Sequence, residues 1–453
     1  MSQPFYTPYL YYQTSMSNPF VVKGEGIYLW DHMGKQYLDG SSGAVICNIG
    51  HGDKRVLEAI NKQAEETFFS YRTQFENEVA HRLAKKLIDH SAPHLNRVFY
   101  VSSGSEAVES ALKLCQQYFY ARGDSRNLII SRFPSYHGAT MGALSLTSYA
   151  VLENPYRQLL RAHPRIPAPY CYRCEYNETY PDCGLRCAWA LEQCILDYGK
   201  RNIAAFIAEP VTGASGGALV PPPDYFEVIQ EICRRYNILF ILDEVMTGYG
   251  RTGKLFAYEH WNVQADIVAL SKGMGSGYFP LAATISRQEI VDAVMADGGF
   301  KHGHTNAGAP MACAVGEKVL DIILEDGLCE NAAAMGEILG TGLRKLADKY
   351  EVIGDVRGIG LLWAVEFVAD RGTKEPFPQH WNVGSLIKAE AFDEGLIVYP
   401  RRSINGARGD HVLVAPPLII NQEQVAELLE RFDRGLARLT EQVNSLRETS
   451  HAG

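Results

Sequence analysis

The 453-residue chain has room for roughly two to three domains, and its 46% hydrophobic and 21% charged residues describe an ordinary globular protein. A formal net charge of −9 argues against a nucleic-acid partner. No stretch approaches the ~18 apolar residues of a membrane span.

At the start, Met1 to Tyr9 show neither a basic region nor the apolar core of an export signal, so a cytoplasmic protein with reduced cysteines is expected. The aromatic density of this segment suggests an arm that docks on a surface, such as a partner subunit. Arg97–Val101 reads as a strand and is followed by Ser102-Ser103-Gly104-Ser105-Glu106. Apolar residues at Val108, Ala111, Leu112, Cys115 and Phe119 then give a helical pattern. Ser103 and Glu106 have capping-box spacing, so the helix should begin there and turn free N–H groups and its positive dipole end towards a phosphate. Neither a Walker-type loop nor a dinucleotide fingerprint is present. Leu128–Ser131 predicts another strand, followed by Ser135-Tyr136-His137-Gly138, where Tyr136 could stack on a planar ring.

Three buried strands come next, and each ends in a charged residue. Ile203–Ala208 leads to Glu209, Asn237–Leu242 to Asp243, and Ile267–Ser271 to Lys272, which Gly273 follows at once. Strand ends of an open α/β sheet face the ligand crevice, so these side chains should meet. A buried lysine has a lowered pKa, which suits its amine to a Schiff base with an aldehyde. Further on, His302-Gly303-His304-Thr305-Asn306 places a hydroxyl in a glycine-flanked loop, and no further residue there falls into metal-ligand spacing. Alternating strands and helices from about 71 to 320 imply a mostly parallel sheet. Strands at Gly360–Phe367 and Val412–Val414, with a helix after Asn421, imply a smaller α+β domain.

Taken in order, Ser103-Gly104-Ser105-Glu106-Ala107, Tyr136-His137-Gly138, Glu209-Pro210, Leu242-Asp243-Glu244-Val245, Gly250-Arg251-Thr252-Gly253, Ser271-Lys272-Gly273 and Thr305 resemble the motif series of class III aminotransferases, from about residue 20 to the end. The resemblance implies a fold-type-I pyridoxal 5′-phosphate enzyme with a seven-stranded large-domain sheet and a small domain built from both chain ends. The expected boundaries are 1–70 for the arm and part of the small domain, 71–320 for the large domain and 321–453 for the rest. By resemblance, Lys272 would carry the cofactor as a Schiff base and shuttle the proton, and Asp243 would pair with the ring nitrogen. Ser103, Gly104 and Ser105 would hold the phosphate, with Thr305 reaching in from a second subunit of a homodimer or tetramer. Tyr136 and Val245 would flank the ring, with His137 and Glu209 beside it. The implied reaction is ping-pong transfer from an amine or omega-amino acid to a 2-oxo acid, pyruvate or 2-oxoglutarate. A lyase, decarboxylase or aminomutase of the same family is the alternative.

Two regions leave choices open. Cys171, Cys174, Cys183 and Cys187 form C-x2-C-x8-C-x3-C; reduced thiols in a surface insertion are the preferred reading, although the spacing would allow a structural zinc ion. In Val398–Asp410, Arg408 is the first candidate for a carboxylate clamp and Arg401 the second, because a guanidinium fork binds a carboxylate bidentately. Tyr28, Val45, Phe75 and Trp363 are candidates for shaping the substrate pocket.

Overall fold

Three sheets organise the molecule, and the computed structural model describes residues 18–402 and 409–451. At the N-terminal side lie β1 (Val21–Glu25), β2 (Tyr28–Asp31) and β3 (Gln36–Asp39). The central sheet is built from β4 (Leu95–Val101), β5 (Leu128–Phe133), β6 (Arg165–Pro167), β7 (Ile203–Ala208), β8 (Leu239–Asp243), β9 (Ile267–Leu270) and β10 (Ala282–Arg287). Its spatial order is β4-β10-β9-β8-β7-β5-β6, and only β10 runs against its neighbours. The expected mostly parallel seven-stranded sheet is therefore present.

The apolar composition of the middle strands follows from burial on both faces. Ala205 and Ile207 of β7, with Leu239 and Ile241 of β8, join one core with the helix Gly104–Ala121. Phe206 and Ala208, with Phe240 and Leu242, join the other core beneath the helices Arg186–Tyr198 and Tyr225–Tyr236. Alternate residues on a strand point to opposite faces, so each run had to be apolar throughout.

The smaller part of the fold holds β11 (Ile353–Ile359), β12 (Leu362–Phe367), β13 (Leu396–Ile397), β14 (Tyr399–Arg402) and β15 (Asp410–Val414). It contains two sheets rather than one. Strands β11-β12-β15-β14 form an antiparallel sheet, whereas β13 joins β3 in parallel and completes a sheet of order β1-β2-β3-β13. That pairing ties the two ends of the chain together. Among the described residues no helix is long and apolar enough to cross a membrane.

Two predicted strands begin later than expected. Asn237 takes a φ of 49° and closes the helix Tyr225–Tyr236, so β8 starts at Leu239. Gly360 takes a φ of 55° in the turn between β11 and β12, which delays β12 to Leu362. A Cβ at Gly360 would lie 2.3 Å from the Thr252 carbonyl carbon, so only glycine allows the backbone to approach there.

Arg251 joins the parts at their centre. Fully buried, it donates from Nη1 to the carbonyls of Leu361 (3.0 Å) and Pro416 (2.6 Å), and from Nη2 to Ser42 Oγ (3.1 Å) and Asn48 Oδ1 (3.0 Å). Three segments, at 42–48, Leu361 and Pro416, thus converge on one guanidinium.

Beside β8, Glu244 is buried and accepts from the Thr247 hydroxyl and from Tyr258 N–H at 2.8 Å. Burial pushes its carboxyl up to about 7 from the ordinary 4.5. The folded protein keeps this proton over a pH range where the unfolded chain loses it, so stability falls as pH rises from 4.5 towards 7, by about 3 kcal/mol. Glu244→Gln should remove that loss. In thermal unfolding, wild type and variant should match near the acid end of this window, and the variant should unfold at the higher temperature at about pH 8.

Candidate active site

The carboxyl ends of β4, β5, β7, β8 and β9 share one edge of the central sheet and surround a cavity of about 160 Å³. Gly104, Ser105, Tyr136, His137, Glu209, Asp243, Val245 and Lys272 all line it. Every one of these positions was anticipated from the sequence, and the fold brings them together from five strand ends.

Lys272 follows β9 and holds a φ of 42°, a left-handed conformation that costs a non-glycine residue free energy. Burial lowers its pKa to about 8; the charges of Asp243 and Glu209 oppose that shift, and the cations Arg401 and Arg251 add to it. Burial wins, so a sizeable minority of the amine is neutral near physiological pH, where an ordinary lysine is almost wholly charged. The next residue must be glycine, because a Cβ at Gly273 would come within 2.4 Å of Asn48 Nδ2.

Asp243 ends β8 and is 4% exposed. Its Oδ2 lies 2.8 Å from His137 Nδ1, and its Oδ1 accepts from Val245 N–H at 3.1 Å. A carboxylate only accepts, so the proton of His137 sits on Nδ1. His137 Nε2 is buried with no hydrogen-bond partner among the described residues.

Glu209 is 5% exposed and uses both oxygens, accepting from Tyr136 N–H (3.1 Å) and Gly213 N–H (2.8 Å). Burial raises its pKa, against the pull of His137 and Arg132. Arg132 escaped the sequence reading. This fully buried residue of β5 donates to the Glu209 carbonyl and to Thr212 Oγ1 at 3.1 Å. Its only signal in the sequence is a charge inside an apolar strand.

The helix Gly104–Ala121 starts where expected, with Ser103 Oγ accepting from Glu106 N–H at 3.3 Å. The return bond differs from a standard capping box, because Glu106 Oε2 accepts from Ser102 N–H at 2.7 Å instead of from Ser103. The N–H groups of Gly104 and Ser105 open the helix and have no partner within it. A Cβ at Gly104 would stand 2.8 Å from Val245 Cγ1, and one at Gly138 would stand 2.7 Å from Ser105 Oγ. This is a glycine-cleared cradle for an anion.

Thr305 lies on an exposed turn and does not line the cavity of its own chain. Its loop docks beside the same helix, with His302 Nε2 2.9 Å from Ser110 Oγ. Arg401, on β14, places its guanidinium 3.9 Å from the centre of the Tyr399 ring and donates to the Tyr399 hydroxyl. Its charge acts on both Lys272 and Tyr136. Arg408 and the N-terminal aromatic arm lie outside the described residues. Trp363 is a core residue, and Tyr28 is bound to Glu427 at 2.7 Å; neither lines the cavity. An amine of lowered pKa, a carboxylate held by an imidazole and an anion cradle at a helix start fit the aldehyde, ring nitrogen and phosphate of pyridoxal 5′-phosphate.

The family model for class-III aminotransferases matches residues 11–436. An uncharacterized aminotransferase of Bacillus subtilis, YodT, is 41% identical over 428 residues, which is 94% of this chain and 96% of the relative. Putrescine–pyruvate aminotransferase of Pseudomonas aeruginosa is 35% identical, over 90% of this chain and 88% of its own. The structure of the omega transaminase of Pseudomonas jessenii in complex with PMP superposes with a TM-score of 0.88 at 36% identity, covering 94% of each chain.

The lowered pKa can be read directly. In cofactor-free protein, trinitrobenzenesulfonate should label Lys272 half-maximally near pH 8, whereas ordinary lysines titrate near 10.5. Lys272→Arg should remove that early phase.

Proposed function

The chain belongs to the class-III aminotransferases, enzymes that use pyridoxal 5′-phosphate, and on that premise we propose that it moves an amino group from an amine or omega-amino acid to a 2-oxo acid, pyruvate or 2-oxoglutarate. The observation that carries the reading is the amine of Lys272, brought to a pKa of about 8 in a cavity that it shares with Asp243 and the start of the helix Gly104–Ala121. When bound, the cofactor supplies an aldehyde that captures amines covalently and a protonated ring that withdraws electrons from the reacting carbon.

The rest falls to this chain's own residues. Lys272 Nζ anchors the aldehyde; once released, it removes the proton from the amine-bearing carbon, and it gives a proton back in the second half-reaction. Asp243 would hold the proton of the ring nitrogen, and the bond from His137 Nδ1 fixes the carboxylate for that task. Gly104 and Ser105 offer backbone N–H groups to the phosphate, and the Ser103 cap fixes the start of their helix. Thr305 of a second copy would complete that cradle, which makes the working unit a homodimer. Tyr136 and Val245, which both line the cavity, would flank the ring, and Glu209 ties the Tyr136 backbone to the turn at Gly213. Arg401 is the described candidate for the carboxylate of the oxo acid, with Arg408 beside it in the sequence. Residues 71–320 form the cofactor domain in this scheme, with 1–70 and 321–453 supplying the smaller part. Ten unbridged cysteines agree with a cytoplasmic setting.

A donor panel run against both acceptors tests the proposal. Each turnover should release one carbonyl compound per amino acid formed, and Lys272→Ala should cut the rate by about 10²–10⁴-fold. Carbon dioxide release, or product formed without an oxo acid, would overturn transamination. Arg401→Ala should raise KM for the oxo acid about tenfold or more, the scale of one charged hydrogen bond, and leave KM for a carboxylate-free amine nearly unchanged. Equal effects on both substrates would remove Arg401 from this role.

A further inference from the structure

A loop that runs inside a protein needs partners for its backbone polar groups, because water does not reach them. The turn from Val211 to Leu219 is such a loop. Every one of its residues is buried, and an antiparallel bridge between Thr212 and Leu219 closes it. Gly217 and Ala218 take φ values of 75° and 48°, and for Ala218 that left-handed conformation persists only where surrounding contacts enforce it.

The contacts come from the smaller part of the fold. Arg357 of β11 donates from Nε to the Gly217 carbonyl at 2.6 Å and from Nη2 to the Gly216 carbonyl at 2.8 Å. His411 of β15 has its Nε2 3.0 Å from the Ala214 carbonyl. Burial lowers the His411 pKa to about 4, and a carbonyl only accepts, so the neutral ring carries its proton on Nε2. Both side chains close on Gly217, where a Cβ would stand 2.8 Å from His411 Cδ2 and 2.9 Å from Arg357 Nη2. Arg357 is itself held: Nη1 donates to Asp355 Oδ2 at 2.6 Å and to Glu366 Oε2 at 2.7 Å, and Arg173 Nε donates to Glu366 Oε1 at 2.6 Å. Against the upward push of burial, Arg357 and Arg173 keep the Glu366 carboxyl below its ordinary range, so the anchor stays charged.

The other side of the turn meets the active site. Gly213 N–H donates to Glu209 Oε2 at 2.8 Å, and Ala214 lines the cavity together with Glu209 and Met246. A Cβ at Gly213 would stand 2.4 Å from Met246 Sδ, so the turn already rests against that wall. We propose that Arg357 and His411 are positioning residues: by gripping the carbonyls of Ala214, Gly216 and Gly217 they hold the turn so that Gly213 fixes Glu209 and Ala214 fixes the cavity wall. The kinetic consequence rests on the transamination proposed above; the effect on the cofactor-free cavity does not. A released turn withdraws the Gly213 N–H from Glu209, whose carboxyl then protonates more readily and supports the Lys272 ammonium less. His137, Asp243 and Arg132, which act on Glu209, and Asp243, Arg401 and Arg251, which act on Lys272, are left unsubstituted. Arg401 pairs with His411 across β14 and β15 and meets no new charge when one neutral side chain replaces another.

His411→Leu removes the donor, and His411→Gln restores an N–H in its place. In cofactor-free protein, trinitrobenzenesulfonate should half-label Lys272 at a distinctly lower pH in His411→Leu than in wild type. With cofactor, the visible circular dichroism of that variant should change, and kcat/KM should fall about tenfold, the scale of one hydrogen bond. His411→Gln should recover all three. Should His411→Leu not fold, Arg357→Lys decides, because it keeps a charge beside Glu366 but has no fork for two carbonyls; the same three changes are expected. A lower unfolding temperature with Lys272 labelling and cofactor dichroism as in wild type overturns the assignment, as does a loss that His411→Gln fails to recover. Labelling needs neither cofactor nor substrate, so it decides the positioning role even where a donor panel shows no transamination.

Discussion

Everything in the site depends on holding a lysine amine where water does not fully solvate it. Burial alone would drive Lys272 towards permanent neutrality, and two nearby carboxylates alone would lock it as an ammonium ion. The structure sets these against each other. Glu209, Asp243 and Lys272 follow three neighbouring strands, β7, β8 and β9, spaced by the ~4.8 Å of hydrogen-bonded strands. The amine thus feels both acids without being claimed by either, since Asp243 is engaged by His137 and Glu209 by two backbone N–H groups. Burial narrowly prevails, and the group can both give and take a proton.

A second constraint sits behind the first. Among the described residues Arg251 is buried with no carboxylate in hydrogen-bond contact; its four hydrogen bonds go to neutral oxygens from segments far apart in the chain, and its Nε finds no partner. A charge in such a place is costly unless its donors are satisfied. Asn48 links the two centres: its Oδ1 accepts from Arg251, its Nδ2 donates to the Tyr249 carbonyl, and its side chain packs where a Cβ on Gly273 would stand. The position of the lysine loop therefore depends on both ends of the chain.

Much of this was legible in the sequence, for a physical reason. Strands buried on both faces must be apolar throughout, so a charged residue at the end of one is conspicuous; Glu209, Asp243 and Lys272 announced themselves in that way. The cap at Ser103 was readable because it is local. Contacts between distant strands were not: nothing near His137 in sequence reveals that its ring meets Asp243, and nothing near Arg132 points to Glu209 and Thr212. Asn237 and Gly360 misled the strand boundaries because their left-handed conformations stop a strand without altering its apolar character. The split of the smaller part into two sheets was hidden for the same reason as the His137 contact. It depends on two residues of β13 finding β3 across most of the chain.

That last pairing constrains how the molecule is made. Strands β1 to β3 emerge early in synthesis, yet Leu38 and Asp39 wait for Leu396 and Ile397 before their edge is covered. Until then the nascent hairpin presents open hydrogen-bonding groups, the kind of surface that captures a neighbouring chain. The central sheet, β4 to β10, is complete by residue 287 and can assemble on the ribosome first. Strands β1 to β3 thus precede the central sheet in the chain yet complete their own sheet only after it.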